Sequence, residues 1–251
     1  MSRSSRFVRG SALLAGFIIS LTVATASSPV PAIAPAEEFH FARMMYVDGG
    51  GGRRNFGGGG WWAQDWPEAE THFNFNLKRL TRISVGEPVT VRLTDDKLFE
   101  YPWLYATQTG YWDLDDEEVA RLREYLLRGG FLMCDDFWGD EFQVFAEAMA
   151  RVFPDRQMQQ LHGDDAVLHV VFSIDESVQI PGLRHLRQLD SLPPPYWLGI
   201  YDDAGRMMVG INYNQDVGDS WEESNTPGYP EPMTAQGYRF GINYITYAMT
   251  H

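Results

Sequence analysis

Residues 126–136 read Leu-Leu-Arg-Gly-Gly-Phe-Leu-Met-Cys-Asp-Asp, and this stretch decides the fold. The glycines at 129 and 130 are typical of a helix end. The continuous apolar run at 131–134 is typical of a strand buried on both faces, and it stops at Asp135 and Asp136. A helix that leads directly into such a strand indicates an α/β fold with a mainly parallel sheet.

The flanking segments extend this pattern in both directions. We predict a helix at 113–128 because Asp113 can cap it, the acids at 115–118 suit its first turn, and apolar residues recur at helical spacing. The region after residue 196 differs, because two short strands and a tight turn predict an antiparallel hairpin. The other predicted elements are strands at 39–47, 90–93, 103–107, 131–134, 197–201 and 206–212, and helices at 67–82, with Phe73, Leu77 and Leu80 on its buried face, 141–152 and 233–249.

Composition excludes some classes of protein. The chain has 251 residues and a net charge of -14, which makes nucleic acid an unsuitable partner. Its hydrophobic content of 44% is enough to bury a core, so we expect one α/β domain over residues 39–251.

The N-terminus has the pattern of an export signal. Arg3, Arg6 and Arg9 precede an apolar run at 12–26 that ends in Ala24-Thr25-Ala26. We predict a signal peptide at 1–26, cleaved near Ala26, a linker at 27–38, and export to the periplasm or beyond the cell, with no membrane span after cleavage. Retention of the apolar run as an anchor is the alternative.

Several segments together resemble a known bacterial family. They read Tyr-Pro-Trp-Leu-Tyr at 101–105, Leu-Asp-Asp-Glu-Glu at 114–118, the stretch 126–136 quoted above, and Asp-x-x-x-Ser-Trp-Glu at 216–222. Over nearly all of the mature chain, the sequence resembles domain-of-unknown-function family 4159. The resemblance implies a class I glutamine-amidotransferase-like fold, which is a flavodoxin-like three-layer sandwich. It implies no known activity.

The sequence departs from the enzymes of that fold where their chemistry would lie. Those enzymes carry a nucleophilic cysteine in a Gly-x-Cys-x-Gly elbow and a later His-x-Glu pair. Cys134 has no glycine two residues away on either side, and no His-x-Glu occurs. We therefore predict that Cys134 is a packed core thiol, that the glutaminase triad is absent, and that the catalytic residues, if any, are unknown.

In open parallel sheets, ligands bind at the carboxyl ends of the strands, so the residues that follow each predicted strand are the candidates. Two further polar clusters come later in the chain, one around His162 and one after the hairpin. The candidate cleft residues are Asp48, Gln108, Thr109, Asp135, Asp136, Trp138, His162, Asp164, Asp216, Asp219, Trp221 and Glu222.

The adjacent carboxylates Asp135 and Asp136 suit three roles. They can ligate a hard cation, share a proton in acid–base chemistry, or cap the helix at 141–152. No cofactor is predicted, but a divalent cation is compatible with this composition. His162 is a candidate base beside Asp164. The glycine-rich stretch 49–60 lacks the spacing of a dinucleotide loop and favours a mobile loop.

Three functional hypotheses follow. The first is an exported, non-catalytic domain that binds a small molecule or an envelope protein through the candidate cleft. The alternative is a hydrolase or isomerase of carbohydrate-like substrates that uses the strand-end carboxylates. Loop tryptophans such as Trp112 and Trp221 could stack on sugars, but we favour the interpretation that they close the edges of the sandwich. The third is a component of an envelope assembly, which rests on the gene neighbours typical of the family.

Overall fold

The computed structural model describes residues 38–49 and 60–251. The predicted signal peptide, the predicted linker up to residue 37 and the central part of the glycine-rich stretch lie outside the described residues. The strands are β1 (Ala42–Met45), β2 (Val89–Arg92), β3 (Trp103–Thr107), β4 (Phe131–Phe137), β5 (Gln159–Gln160), β6 (Tyr196–Tyr201) and β7 (Met207–Tyr213). The α-helices are α1 (Glu68–Leu80), α2 (Asp116–Leu127), α3 (Glu141–Val152), α4 (Val217–Glu222) and α5 (Glu231–Thr250).

The strands form one sheet in the order β2-β1-β3-β4-β7-β6-β5. Strands β2, β1, β3, β4 and β7 are parallel to one another. Strand β6 is antiparallel to β7, and β5 is antiparallel to β6. The predictions of a mainly parallel sheet and of a C-terminal antiparallel hairpin are therefore confirmed.

Both faces of the sheet are covered, which explains why the first four residues of β4, Phe131–Cys134, are all apolar. Phe131 and Met133 pack on one face with residues of α1, α4 and α5. Leu132 and Cys134 pack on the other face with residues of α2 and α3. Because each face has its own core, the molecule has three layers, with the sheet in the middle. Within the described residues, no helix is both long and apolar enough to cross a membrane.

Two details of the helices correct the predictions. Helix α2 is capped by Asp115 rather than Asp113: Asp115 Oδ1 accepts a hydrogen bond from Glu118 N at 2.8 Å, and Glu118 Oε2 accepts one from Asp115 N at 3.1 Å. Asp115 is the residue immediately before the observed helix start, with Glu118 three residues later to complete the reciprocal pair, whereas Asp113 lies two residues earlier. Leu80, predicted on the buried face of α1, is exposed because the helix ends there.

Strand β4 is longer than predicted, and this changes the position of the two aspartates. It continues to Phe137 across a register shift against β7 between Cys134 and Phe137. Asp136 lies in the shifted part with φ of 49°, in the left-handed region. The predicted end of the strand at Cys134 was wrong, because the pairing with β7 continues beyond it across a β-bulge. Both aspartates are consequently buried within the edge of the sheet.

Two short elements were not predicted from the sequence. Helix α4 has six residues, too few for a helical periodicity to be visible. It begins after Asp216, whose Oδ1 accepts a hydrogen bond from Asp219 N at 3.0 Å. Strand β5 has two exposed residues and carries no apolar pattern. Helix α4 carries two acids, Asp219 and Glu222, to the carboxyl ends of the parallel strands.

Candidate functional site

A cavity of about 310 Å³ lies where the parallel strands end. Its walls come from four separate parts of the chain: the segment before α1, the end of β4, the segment after Gly182, and the region from Asp216 through α4. We call it the acidic cavity. Its lining residues are Gln64, Asp65, Asp136, Leu183, Arg184, Asp216, Asp219, Glu222 and Glu223. This is the edge at which open parallel sheets bind ligands.

Asp135 is a structural residue beneath the cavity. Its Oδ2 accepts hydrogen bonds from Tyr105 Oη and Gly218 N, both at 2.8 Å, and its Oδ1 accepts one from Asn212 Nδ2 at 3.1 Å. The hypothesis that it caps the helix at 141–152 is wrong, because the bulge points it towards the start of α4 instead. Burial raises the pKa of this carboxyl, and the bond from Gly218 lowers it.

Asp136 reaches the cavity, and neighbouring side chains hold it in place. Gln108 Nε2 donates to its Oδ2. Trp138 Nε1 donates to its Oδ1 at 2.9 Å, and Arg184 Nη2 lies 3.4 Å from the same oxygen. Burial raises the pKa of Asp136 well above its ordinary value, although Arg184 opposes this. Asp136 does not cap α3, which begins after Asp140 without a side-chain cap.

Asp216 is buried and only half satisfied. Its Oδ1 accepts the bond from Asp219 N, whereas Oδ2 has no hydrogen-bond donor in the part of the chain that the structure describes. A side chain at Gly182 would collide with this Oδ2 and with Asp219 Oδ2, so the glycine leaves room for both carboxylates. Burial raises the pKa of Asp216 well above its ordinary value, and the nearby charges of Asp136 and Asp219 raise it further.

Three carboxylates on the cavity wall face one another. Asp65, Asp219 and Glu222 each offer an oxygen, and these three oxygens lie within 4.8 Å of one another. The carboxyl groups of Asp65 and Glu222 also perturb each other's pKa. Burial followed by the charge of Asp65 raises the pKa of Asp219 to about 7 and that of Glu222 to about 8.

The charges that line the cavity do not balance. Six carboxyl groups line it, and among the described residues Arg184 is the only basic side chain that does so. Arg184 is itself 59% exposed, so much of its charge faces solvent. Buried carboxylates without counter-charges are costly, and they take up protons or bind a cation. The acidic cavity therefore has the electrostatics of a cation site.

The structure brings some of the predicted residues together and separates others. Asp136, Asp216, Asp219 and Glu222 line the cavity, while Gln108 and Trp138 support Asp136. Asp48 instead accepts a hydrogen bond from Trp61 N at 3.0 Å and lies outside the lining.

Three other predicted residues belong to the core. Thr109 and Trp221 are fully buried, and Trp221 packs on Phe73 with ring centroids 4.5 Å apart. Trp112 is buried against Phe145 on the other face. Trp112 and Trp221 therefore cannot stack on sugars, and the favoured interpretation, that they pack within the sandwich, is confirmed for these two residues.

His162 and Asp164 are not part of the acidic cavity. Both are exposed, and His162 lines a separate pocket with Asp202 and Asp203. Asp202 and Asp203 belong to the hairpin turn before β7, whereas Asp216 follows the end of β7. The two sites therefore lie at opposite ends of strand β7. Cys134 is completely buried, and burial raises the pKa of its thiol well above the ordinary value, which confirms the predicted core thiol.

Sequence reasoning missed two important residues of the cavity, Asp65 and Arg184. Asp65 has φ of 62°, in the left-handed region. It lies far from the end of β1 at Met45 and shortly before α1. Strand-end reasoning stopped at Asp48, but the rule about carboxyl ends applies to the whole connection between β1 and α1. Arg184 lies in a short 3₁₀ segment, Leu183–Ser191, that shows no buried face. No local signal in the sequence indicates where it lies.

The structure thus defines a class: a three-layer α/β domain with an acid-lined cavity at the carboxyl edge of its parallel strands. The model of the family described as Domain of unknown function (DUF4159) matches residues 40–249, and the chain belongs to this family. Among curated proteins, none matches the chain.

Proposed function

We propose that this protein is an exported, non-catalytic binding domain that holds a divalent cation in the acidic cavity. The observation that carries the proposal is the imbalance between six lining carboxyl groups and one half-exposed arginine among the described residues. A bound cation would neutralise charges that the chain leaves uncompensated. The export signal predicted at residues 1–26 is consistent with a role outside the cytoplasm.

The type of donor favours a hard cation. The described lining residues include carboxylates and an amide but neither cysteine nor histidine, and oxygen donors suit Ca²⁺, Mg²⁺ and Mn²⁺. Two oxygens on opposite sides of a Ca²⁺ ion are about 4.8 Å apart, at about 2.4 Å each. The oxygens of Asp65, Asp219 and Glu222 fall within this span. Asp216 Oδ2, to which none of the described residues donates a hydrogen bond, lies beside Asp219.

The non-catalytic assignment rests on the residues at the fold's usual catalytic position. The strand order β2-β1-β3-β4 and the three layers support a flavodoxin-like, class I glutamine-amidotransferase-like fold. The cysteine of β4 is buried within the sheet rather than exposed on an elbow, and no His-x-Glu follows it. The cleft of this fold is therefore left for binding.

Thermal unfolding of residues 27–251 tests the proposal. The protein is stripped with chelator and then melted with Ca²⁺, Mg²⁺ or Mn²⁺ at pH 7.5. A cation at about 100 times its dissociation constant adds about 2.7 kcal/mol, or about 5–10 °C. Asp219→Asn and Glu222→Gln should lose this gain, while the exposed control Asp164→Asn should keep it. An unchanged melting temperature with all three cations would contradict the proposal.

One observation favours a second candidate function. Carboxyl groups with pKa values of about 7 and about 8, as in Asp219 and Glu222, suit general acid–base catalysis at neutral pH. A hydrolase or isomerase of carbohydrate-like substrates would use this pair, because Asp135 does not reach the cavity. Turnover of any member of a saccharide panel, abolished by Glu222→Gln in a folded variant, would favour this function over simple binding.

A further inference from the structure

The 3₁₀ segment Leu183–Ser191, which we call the strap, lies against the acidic cavity. Its first three residues make the contacts. Leu183 N donates to Asp219 Oδ2 at 2.7 Å. Arg184 Nη2 lies 3.4 Å from Asp136 Oδ1. The ring of His185 packs on that of Trp138, with centroids 4.2 Å apart, and Trp138 in turn donates to Asp136. The strap is therefore attached to the groups that line or support the cavity.

Little else fixes the strap. None of its nine residues is buried, and Leu183 and Leu189 are exposed although they are apolar. Its helical geometry is interrupted at Gln188. A segment without buried apolar side chains gains little from the hydrophobic effect, so its position depends on its polar contacts. Those contacts are made to acids of the cavity, through Asp219 and Asp136, and to Trp138.

Arg184 and a divalent cation would each neutralise part of the negative charge of the acidic cavity. The guanidinium lies 3.4 Å from Asp136, and oxygens of Asp65, Asp219 and Glu222 lie within 4.8 Å of one another in the same cavity. Asp219 takes part in both arrangements, because its Oδ2 holds the strap through Leu183 N. Binding of a cation by Asp219 therefore weakens a contact of the strap, and the added positive charge repels Arg184.

We propose that Arg184 is a tethered counter-cation, so that the strap covers the cavity when it lacks a cation and is released when a divalent cation binds. The inference rests on the proposed function, and it adds that the chain regulates access to its own site. Coupling between the two is reciprocal. If a bound cation disfavours the closed strap, the closed strap lowers the affinity for the cation by the same factor, so removal of Arg184 should raise that affinity.

Calorimetric titration of Mn²⁺ into the chelator-stripped chain 27–251 tests the inference. In Arg184→Gln the dissociation constant should fall about tenfold relative to the unchanged protein, because the competing charge is gone. Arg187→Gln is the matched control, since it removes an arginine of the same strap that does not line the cavity, and its affinity should stay within about twofold. Equal or weaker binding by Arg184→Gln overturns the inference and leaves the proposed function intact.

Hydrogen exchange of the unchanged protein gives a second readout that needs no variant. Saturation with Mn²⁺ should speed exchange of the amides in Leu183–Ser191, whereas a strap that stays closed would show no change or slower exchange and would overturn the inference. Absence of Mn²⁺ binding in both the unchanged protein and Arg184→Gln has a different meaning. It refutes the proposed function itself, and the inference falls with it.

Discussion

The molecule contains two groups of buried charges that are adjacent but differently compensated. Arg43 and Glu70 are almost completely buried, yet they form an ion pair, and Arg43 Nη1 also donates to the carbonyl oxygens of Trp62 and Gln64. The acidic cavity is adjacent to this pair, since Gln64 and Asp65 line it, and among the described residues its six carboxyl groups share a single arginine, Arg184. The comparison teaches that burial of charge does not by itself mark a binding site. A group that its own chain compensates is structural, whereas an uncompensated group requires something from outside.

The largest expected effect on the free energy of unfolding is at the compensated pair, Arg43 and Glu70. Arg43→Met should destabilise the protein by about 3–5 kcal/mol, because it leaves Glu70 buried without its counter-charge. The measurement is urea unfolding of the chelator-stripped protein. Arg239→Met removes an exposed arginine and should change stability by less than about 0.5 kcal/mol. Similar stabilities for the two variants would remove the distinction between the two groups.

Asp135 lies beneath the acidic cavity, and a variant at this position tests whether the residue is structural or belongs to the cation site. Asp135→Ala should cost about 1–3 kcal/mol, because Tyr105, Asn212 and Gly218 lose the acceptor they share. If Asp135 is structural, the variant should still gain stability from a divalent cation as the unchanged protein does. Loss of the cation response in a folded Asp135→Ala would move this residue into the binding site.

The pH dependence of stability sharpens the comparison. The raised pKa values of Asp219, about 7, and Glu222, about 8, mean that the folded state resists ionisation more than the unfolded chain does. Stability without cation should be fully present below about pH 4 and decline as pH rises through about 7 and 8. We expect a loss of at least about 1 kcal/mol between pH 5 and pH 8, seen as a fall of about 2–4 °C in melting temperature.

Two variants and one addition check this prediction. Asp219→Asn and Glu222→Gln remove the ionisation and should flatten the profile. A saturating divalent cation should restore stability at pH 8 but add less at pH 5, where protons already neutralise the acids. A profile that rises towards pH 8 in the absence of cation would mean that the cavity acids are compensated after all.

The smallest effect is expected at the opposite end of strand β7. His162→Gln and Asp164→Asn change exposed side chains, so each should alter stability by less than about 0.5 kcal/mol and leave the cation response unchanged. Thermal unfolding with and without cation checks both. A lost response in either variant would show that the cation binds beside the hairpin turn instead.

The sequence predicted the regular elements well, because their signals are local. The apolar run before Asp135 indicates a strand buried on both faces, and the acids at 115–118 indicate a helix start. The bulge in β4 is not visible in this way, since it depends on pairing with β7, which is far away in the sequence. For the same reason, the sequence misplaced the end of the strand and the role of Asp135 as a helix cap.

The site was only partly predictable. Strand-end reasoning finds Asp136, and the acidic run after the hairpin contains Asp216, Asp219 and Glu222. Neither signal shows that these groups meet in one cavity, because that depends on the unpredicted helix α4. Asp65 and Arg184 come from irregular segments whose positions are set by tertiary contacts.

The most direct test of the central claim is a crystal structure of the chelator-stripped protein soaked in Mn²⁺, with anomalous diffraction to locate the ion. The account predicts one strong peak in the acidic cavity, within about 2.6 Å of oxygens from Asp65, Asp219 and Glu222. A cavity without a peak, in which these carboxyl groups bond only to one another and to Arg184, would contradict it.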